Sequence, residues 1–216
     1  EDGDRFIQLR ATGKGEIKGE GNTLSGYDVY VNNHTKHYFY AEFDQTPIAF
    51  SENGNGTAIN YAQFDKNVKR VNMRYGVSYI SVEQAKKNLE KEIKDYNLEN
   101  LALTARNEWN KALGKIDVSG GTEDQKTTFY TALYRSHERM INISEDGKYF
   151  SGFDGKVHDD EGVDFWTDDW IWDNYHALHP LQIILNPADE VEKLTSYIRM
   201  YEHSGWMPTF PCVFGD

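Results

Sequence analysis

A chain of 216 residues, 38% hydrophobic and 27% charged, has the length for one large domain or two small ones and the composition of a molecule with a buried core. Its 35 acidic and 23 basic side chains give a net charge of −12, which excludes the positive face that nucleic acid or an anionic membrane surface would need. No apolar run reaches membrane length, and a single cysteine, Cys212, excludes an internal disulfide and a Cys-based zinc site.

The first 80 residues read as β structure. Tyr27–Val31 and Tyr38–Phe43 alternate apolar and polar positions, and Val71, Met73 and Tyr75 alternate with Arg70, Asn72 and Arg74, the period of a half-buried strand. Turn clusters fall between them at Gly13/Gly15, Gly19/Gly21, Asn32-Asn33 and 51–56. Short strands joined by Gly/Asn turns predict a sandwich.

The period changes at Ser81. Ser81-Val-Glu-Gln84 has the spacing of a capping box, and Val82, Ala85, Leu89 and Ile93 follow at helical intervals. A second helix is predicted from Leu98, Leu101, Ala105, Trp109 and Ala112, ending at Gly114. A third starts at a second capping box, Thr122-Glu-Asp-Gln125, with Phe129, Leu133, Tyr134 and His137 on one side. Two Asp-Gly pairs, at 146 and 154, predict a hairpin excursion within 142–165. Helix resumes over 170–185, interrupted near Pro180 and ended by Asn186-Pro187. A last helix carries Val191, Leu194, Ile198 and Tyr201 and stops at Gly205. The chain opens without Met or a signal-peptide pattern and closes on the apolar run WMPTFPCVFGD, so both ends read as cut from a longer polypeptide.

The chemistry-bearing stretch is 157–192, with ten acidic residues and no Lys or Arg. Asp164, Asp168, Asp169 and Asp173 interleave with Phe165, Trp166, Trp170 and Trp172. Carboxylates take paired hydrogen bonds from sugar hydroxyls and an indole covers the apolar side of a sugar ring, so the pattern suits a carbohydrate. Asp159, Asp160 and Glu161 read more simply as a solvated loop, and Asp189 and Glu190 as first-turn charge at a helix dipole. The acidic run lacks EF-hand spacing. His176 and His179 stand at the i, i+3 spacing of a zinc pair, but packed, hydrogen-bonded histidines are the simpler account. No nucleophile elbow, phosphate loop or dinucleotide fingerprint occurs. Asn33, Asn55 and Asn142 each begin a glycosylation sequon.

The run Trp172-Asp-Asn-Tyr-His-Ala-Leu-His-Pro-Leu181 resembles the signature of glycoside hydrolase family 92, the calcium-dependent exo-α-mannosidases. So does Met200-Tyr-Glu-His-Ser-Gly-Trp-Met-Pro208. Gly76–Ala85 is similar to the family's junction between its β and helical parts, and Thr128–Ser136 to its first barrel helix. Asn174 and His176 stand where the family often has Thr and Arg, and Ser204 where a second Gly is usual.

The resemblance implies an α+β multidomain fold. Residues 1–80 would be part of an N-terminal β-sandwich, 81–119 a helical connector, and 120–216 the first helices of an (α/α)6 barrel. It implies an inverting exo-α-mannosidase acting on terminal α-mannosides of glycans such as N-glycans or mannans, secreted or periplasmic. Trp172 and Asp173 would bind substrate, with Trp206 lining the same pocket. No catalytic residue and no metal ligand is assigned within the chain, since the general acid, the general base and the calcium ligands are expected beyond residue 216. The expected partners are a mannose-containing glycan and the remainder of the polypeptide, with no nucleic acid and no membrane span, and the fragment alone would be inactive. Alternatives are a non-catalytic carbohydrate-binding module and an (α/α)6 glycosidase for another sugar.

Overall fold

The computed structural model describes residues 5–11, 14–29, 35–52 and 59–215. The turn clusters at Gly13, Asn32-Asn33 and 53–56 and the sequons at Asn33 and Asn55 lie outside them. The chain divides into two compact units, Glu1–Tyr96 and Asn97–Asp216. The fold is mixed α and β, and the paired strands all run antiparallel.

In the first unit, β2 (Glu16–Glu20), β3 (Thr23–Val29), β4 (Lys36–Phe43) and β7 (Met73–Ser78) form a four-stranded sheet in the order β2-β3-β4-β7. Strands β1 (Arg5–Arg10), β6 (Ile59–Phe64) and β5 (Ala49–Glu52) form a second, in the order β1-β6-β5. Alternation along each strand sends Ile17, Leu24, Ala41 and Phe43 from one sheet and Ala62 and Phe64 from the other into a shared core. Phe43 and Phe64 meet edge to face at 5.3 Å.

Strand β7 departs from the expected burial. Tyr75 pairs with Ala41 and Met73 with Phe43, so both point to the core side of the sheet. They nonetheless remain exposed and, with Val77, line a groove of about 500 Å³. Leu9 and Arg10 of β1 line the same groove, and the buried residues of β7 are Gly76 and Ser78, on the opposite face. That face lies under helix α1 (Val82–Glu92), which buries Ala85 and Leu89. A Cβ on Gly76 would stand 2.2 Å from the Ala85 carbonyl oxygen and 2.9 Å from the Leu89 amide nitrogen, so β7 carries its smallest residue where the helix comes closest. Only half of the predicted box at Ser81 forms. Its hydroxyl accepts from the Gln84 N–H at 3.1 Å, but the Ser81 N–H donates to Ser78 Oγ and the Gln84 amide turns forward to Asn88.

The second unit begins with α2 (Leu98–Leu113) and α3 (Glu123–Arg135), the latter opened by a complete Thr122/Gln125 capping box. Hairpin β9 (Lys148–Ser151) and β10 (Lys156–Asp159) turns at Asp154-Gly155, as the sequence predicts. The short strands β8 (Ile141–Asn142) and β11 (Trp166–Thr167) pair around it. The third sequon's Asn142 side chain is already engaged, donating to Asp164 and accepting from the Ser144 N–H.

The helical stretch after Trp170 breaks earlier than Pro180 itself, into α4 (Ile171–Asn174) and α5 (Leu178–Leu185). The gap lets Pro180 sit in the first turn of α5, where its missing N–H is not required. Helix α6 (Pro187–Ser204) ends at Gly205, left-handed at φ 81°. The apolar stripe that marks α6 in the sequence faces outward: Val191, Leu194, Ile198 and Tyr201 are all at least half exposed. Its buried face is Glu190, Lys193, Ser196 and Met200.

Candidate functional site

Helix α4 is four residues long and lacks a side-chain cap at Trp170. An isolated turn of this size does not hold itself, since fixing its dihedrals costs more than its few hydrogen bonds return. Its support comes from Asp169, immediately before it and fully buried. Oδ1 of Asp169 accepts the Trp170 N–H at 2.8 Å and an N–H of the Asn174 amide. Oδ2 accepts from His179 Nε2 at 2.9 Å and from the Tyr197 hydroxyl. His179 Nδ1 lies 3.0 Å from Glu190 Oε2, and the Lys193 ammonium donates to Glu190 Oε1 at 2.7 Å. The chain Asp169, His179, Glu190, Lys193 thus alternates in sign through the interior, joining α4 to α5 and α6.

The pKa shifts follow from these contacts. Burial pushes the Asp169 carboxyl up, but the hydrogen bonds from His179, Tyr197 and Asn174 outweigh it and bring it down from 3.8 to about 2. His179 is raised by its bond to Asp169, with burial opposing and Glu190 assisting, so both ring nitrogens donate and the imidazolium is favoured. Tyr197 is raised by burial and by the adjacent Asp169 charge, which keeps it a hydrogen-bond donor.

Linkage fixes the pH window. The lowered Asp169 contributes stability that is present above pH 3.8 and lost as pH falls toward about 2, worth about 2 kcal/mol. The raised His179 contributes stability that is present below pH 6.5 and lost as pH rises through its folded-state value. The stability difference between the native chain and the His179→Gln variant is therefore expected to be largest between about pH 4 and 6.5 and to shrink on both sides. Urea melts of the two proteins across pH would show it, and a pH-independent difference would contradict the assignment.

Above this buried layer lies an aromatic shelf. Phe210 sits between Trp170 (5.8 Å) and Trp172 (5.4 Å), and the Arg139 guanidinium lies 4.4 Å from the Trp170 ring while donating to Asp168 at 2.6 Å. The Asp169 N–H donates to the Pro211 carbonyl, pinning the 210–211 segment to the same point. Trp172 and Asp173 are both exposed, and the Asp173 side chain makes no hydrogen bond with any described residue. Trp206, 81% exposed, lines a groove of about 300 Å³ with Gly152, Phe153, Ser204, Met207 and Phe214. Trp172 and Asp173 share one short helix, and no ring contact joins Trp206 to Trp172. An exposed carboxylate can bind a polyol through paired hydrogen bonds, and an exposed indole can stack on the apolar side of its ring.

The acidic residues read as background from sequence divide. Asp159 is exposed and pairs with Lys148, whereas Asp160 is buried and its Oδ1 accepts the Gly162 N–H. Glu190 exceeds its expected helix-dipole role, being buried between His179 and Lys193. His179 is the hydrogen-bonded histidine expected, and His176 is exposed against Tyr175.

Among the described residues, Asp154, His158 and His203 form the one group with metal-ligand spacing, their donor atoms lying within 4.8 Å of one another. The His158 and His203 rings stack at 4.1 Å and 11°. A metal lies in the plane of an imidazole it binds, about 2.0–2.1 Å from the nitrogen, so two parallel rings cannot share one ion as they stand. Calcium, which takes six to eight oxygens, does not fit this nitrogen-rich set. Burial, with His158 stacked against it, lowers the His203 pKa.

Comparison with known proteins adds the following. Residues 84–215 match the family model described as the glycosyl hydrolase family 92 catalytic domain. An uncharacterized secreted glycosidase of Arthroderma benhamiae is 38% identical over 85 residues, covering 38% of this chain and 11% of that protein. A family GH92 inverting mannosidase from Bacteroides thetaiotaomicron superposes with a TM-score of 0.84 at 30% identity over 96% of this chain and 31% of the other. A GH92 α-mannosidase from the same organism, solved in complex with mannoimidazole, gives 0.86 at 20% identity, covering 99% of this chain and 32% of its own length, a likeness of fold. The chain thus spans about a third of the solved structures it matches.

Proposed function

Because the chain belongs to glycosyl hydrolase family 92, we propose that the intact protein is an inverting exo-α-mannosidase acting on terminal α-mannosides of N-glycans or mannans. These 216 residues supply part of its mannose-binding site. One observation carries the reading: helix α4, held by the buried Asp169 network, carries an exposed indole at Trp172 and, at Asp173, an exposed carboxylate with no hydrogen bond to a described residue. Likeness to an inverting mannosidase along nearly the whole chain supports the choice of sugar.

In this reading residues 1–80 belong to a β-sandwich, 81–119 to a connector and 120–216 to the first helices of an (α/α)6 barrel. The outward apolar stripe of α6 supports the last assignment, since a barrel helix has a neighbour to pack against. The remainder of the polypeptide is the partner that would cover it. The relative described as secreted supports a secreted or periplasmic enzyme. No described helix is long and apolar enough to cross a membrane.

Inversion needs an acid on the leaving oxygen and a base that activates water on the opposite face, with the two carboxyl groups about 6.5–9.5 Å apart. Asp173 serves neither role here. It accepts hydrogen bonds from sugar hydroxyls and fixes the ring's orientation, Trp172 covers the ring's apolar side, and Trp206 contributes a further wall. Acid and base come from sequence outside these residues, as do the oxygen ligands of the calcium that the family resemblance implies, for which the clustered residues described here are unsuited.

The intact protein is expected to hydrolyse an aryl α-mannoside with β-mannose as the first product, followed by proton NMR of the anomeric signals. α-Mannose as first product would remove inversion, and no turnover of the mannoside within a panel of aryl glycosides would remove the substrate assignment. The isolated 216-residue chain is expected to be inactive.

A further inference from the structure

We propose that Asp169 is a positioning residue, which sets the direction of the Trp172-Asp173 pair by clamping helix α4 to α5 and α6. The inference rests on the reading of Asp173 as a sugar ligand.

The distribution of its hydrogen bonds carries the argument. A carboxylate offers about four acceptor positions, and all four of Asp169's are taken. The two on Oδ1 go to the two ends of α4, the Trp170 N–H before its first residue and the amide of Asn174, its last. The two on Oδ2 go to His179 on α5 and Tyr197 on α6. One fully buried side chain therefore holds both ends of a helix too short to hold itself, and holds them to two longer helices. Nothing else described caps α4 with a side chain. The Asp169 N–H, bonded to the Pro211 carbonyl, fixes the chain beside Phe210, on which Trp172 rests. Asp173 itself is committed to none of this, so its aim is inherited from α4.

The counter-charge matters as much as the geometry. His179 is held by Asp169 on one nitrogen and Glu190 on the other, and Lys193 completes Glu190. An asparagine at 169 would keep the shape but offer N–H groups to His179 or Tyr197, which are already donors. The clamp would open on the α5/α6 side while the core stayed filled.

The experiment is a double-mutant cycle in the intact protein, with an aryl α-mannoside as probe. Asp169→Asn alone is expected to lower kcat/KM at least 10-fold, since displacements of about 1 Å can cost 100-fold. Its change should be divided between kcat and KM in the same proportion as that of Asp173→Ala. Once Asp173 is alanine, Asp169→Asn should cost less than 3-fold more, because nothing is left to aim. A merely structural role predicts full additivity, so additive losses overturn the proposal, as does wild-type kcat/KM in Asp169→Asn. Leu133→Ala, a buried residue of α3 that shares no hydrogen bond with the network, is the control for lost stability: its Tm should fall while its kcat/KM holds. If Asp169→Asn does not fold, Asn174→Ala removes only one of the two Oδ1 links, and its coupling to Asp173→Ala decides in the same way. Wild-type kinetics in Asp173→Ala itself would remove the sugar-ligand reading and the inference with it, a result distinct from additivity in the cycle.

Discussion

Asp173→Ala in the intact enzyme is expected to lower kcat/KM by two orders of magnitude or more, with little change in folding. The carboxylate is exposed and bonds to no described residue, so its removal leaves no buried group unsatisfied. Its contribution is confined to bound sugar, where a charge-assisted hydrogen bond contributes about 1.5–3 kcal/mol and a carboxylate accepts two. About 3 kcal/mol in transition-state binding corresponds to somewhat more than 100-fold in kcat/KM. Steady-state kinetics beside thermal melting separate the two effects. Wild-type kcat/KM would sink the assignment, and a large loss of Tm would mean that Asp173 holds the fold rather than the substrate.

Gly76→Val is expected to have the largest effect on the first unit. The strand β7 backbone meets helix α1 there, and even a methyl group would stand 2.2 Å from the Ala85 carbonyl oxygen. The obstructing atoms are backbone, so no rotamer change relieves them and the helix must lift. Overpacking ordinarily costs about 1–3 kcal/mol, and displacement of a whole helix belongs at or above the upper end. Lifting α1 would also expose Ala85 and Leu89, both buried against β7. Urea denaturation of the variant should show a loss of at least about 3 kcal/mol. A change below about 1 kcal/mol would mean that α1 does not depend on this contact.

Element type was largely legible in the sequence, and element facing was not. The strands at Tyr27 and Tyr38, both Asp-Gly turns, the Thr122 capping box and the stop at Gly205 depend on local chemistry, and each appears where its residues place it. Helix α6 shows the limit. Its apolar period identifies the helix, but within these residues the buried face is the polar one, where Glu190, Lys193 and Ser196 meet His179 and Trp166, partners that periodicity does not reveal. Strand β7 departs likewise: its core-side residues stay exposed along a groove, and its buried side is decided by α1.

Asp169 was missed for a related reason. Within an acidic run it looks like its neighbours, and its partners lie 5, 10 and 28 residues away. The one local signal was Asn174 and His179 following it on predicted helix, a pattern too common to single it out. Trp172 and Asp173, by contrast, are singled out by the resemblance of 172–181 to the family signature; adjacency of indole and carboxylate alone would mark Asp169 and Trp170 equally.

The alternating row Asp169, His179, Glu190, Lys193 has a consequence for how this protein can change over time. Each member's charge is balanced by the next, so a single replacement strands a partner in the interior, where an uncompensated charge costs about 3–5 kcal/mol. Concerted exchange of neighbours escapes that cost. Drift at these four sites is therefore epistatic, and lineages should gain or lose them in pairs.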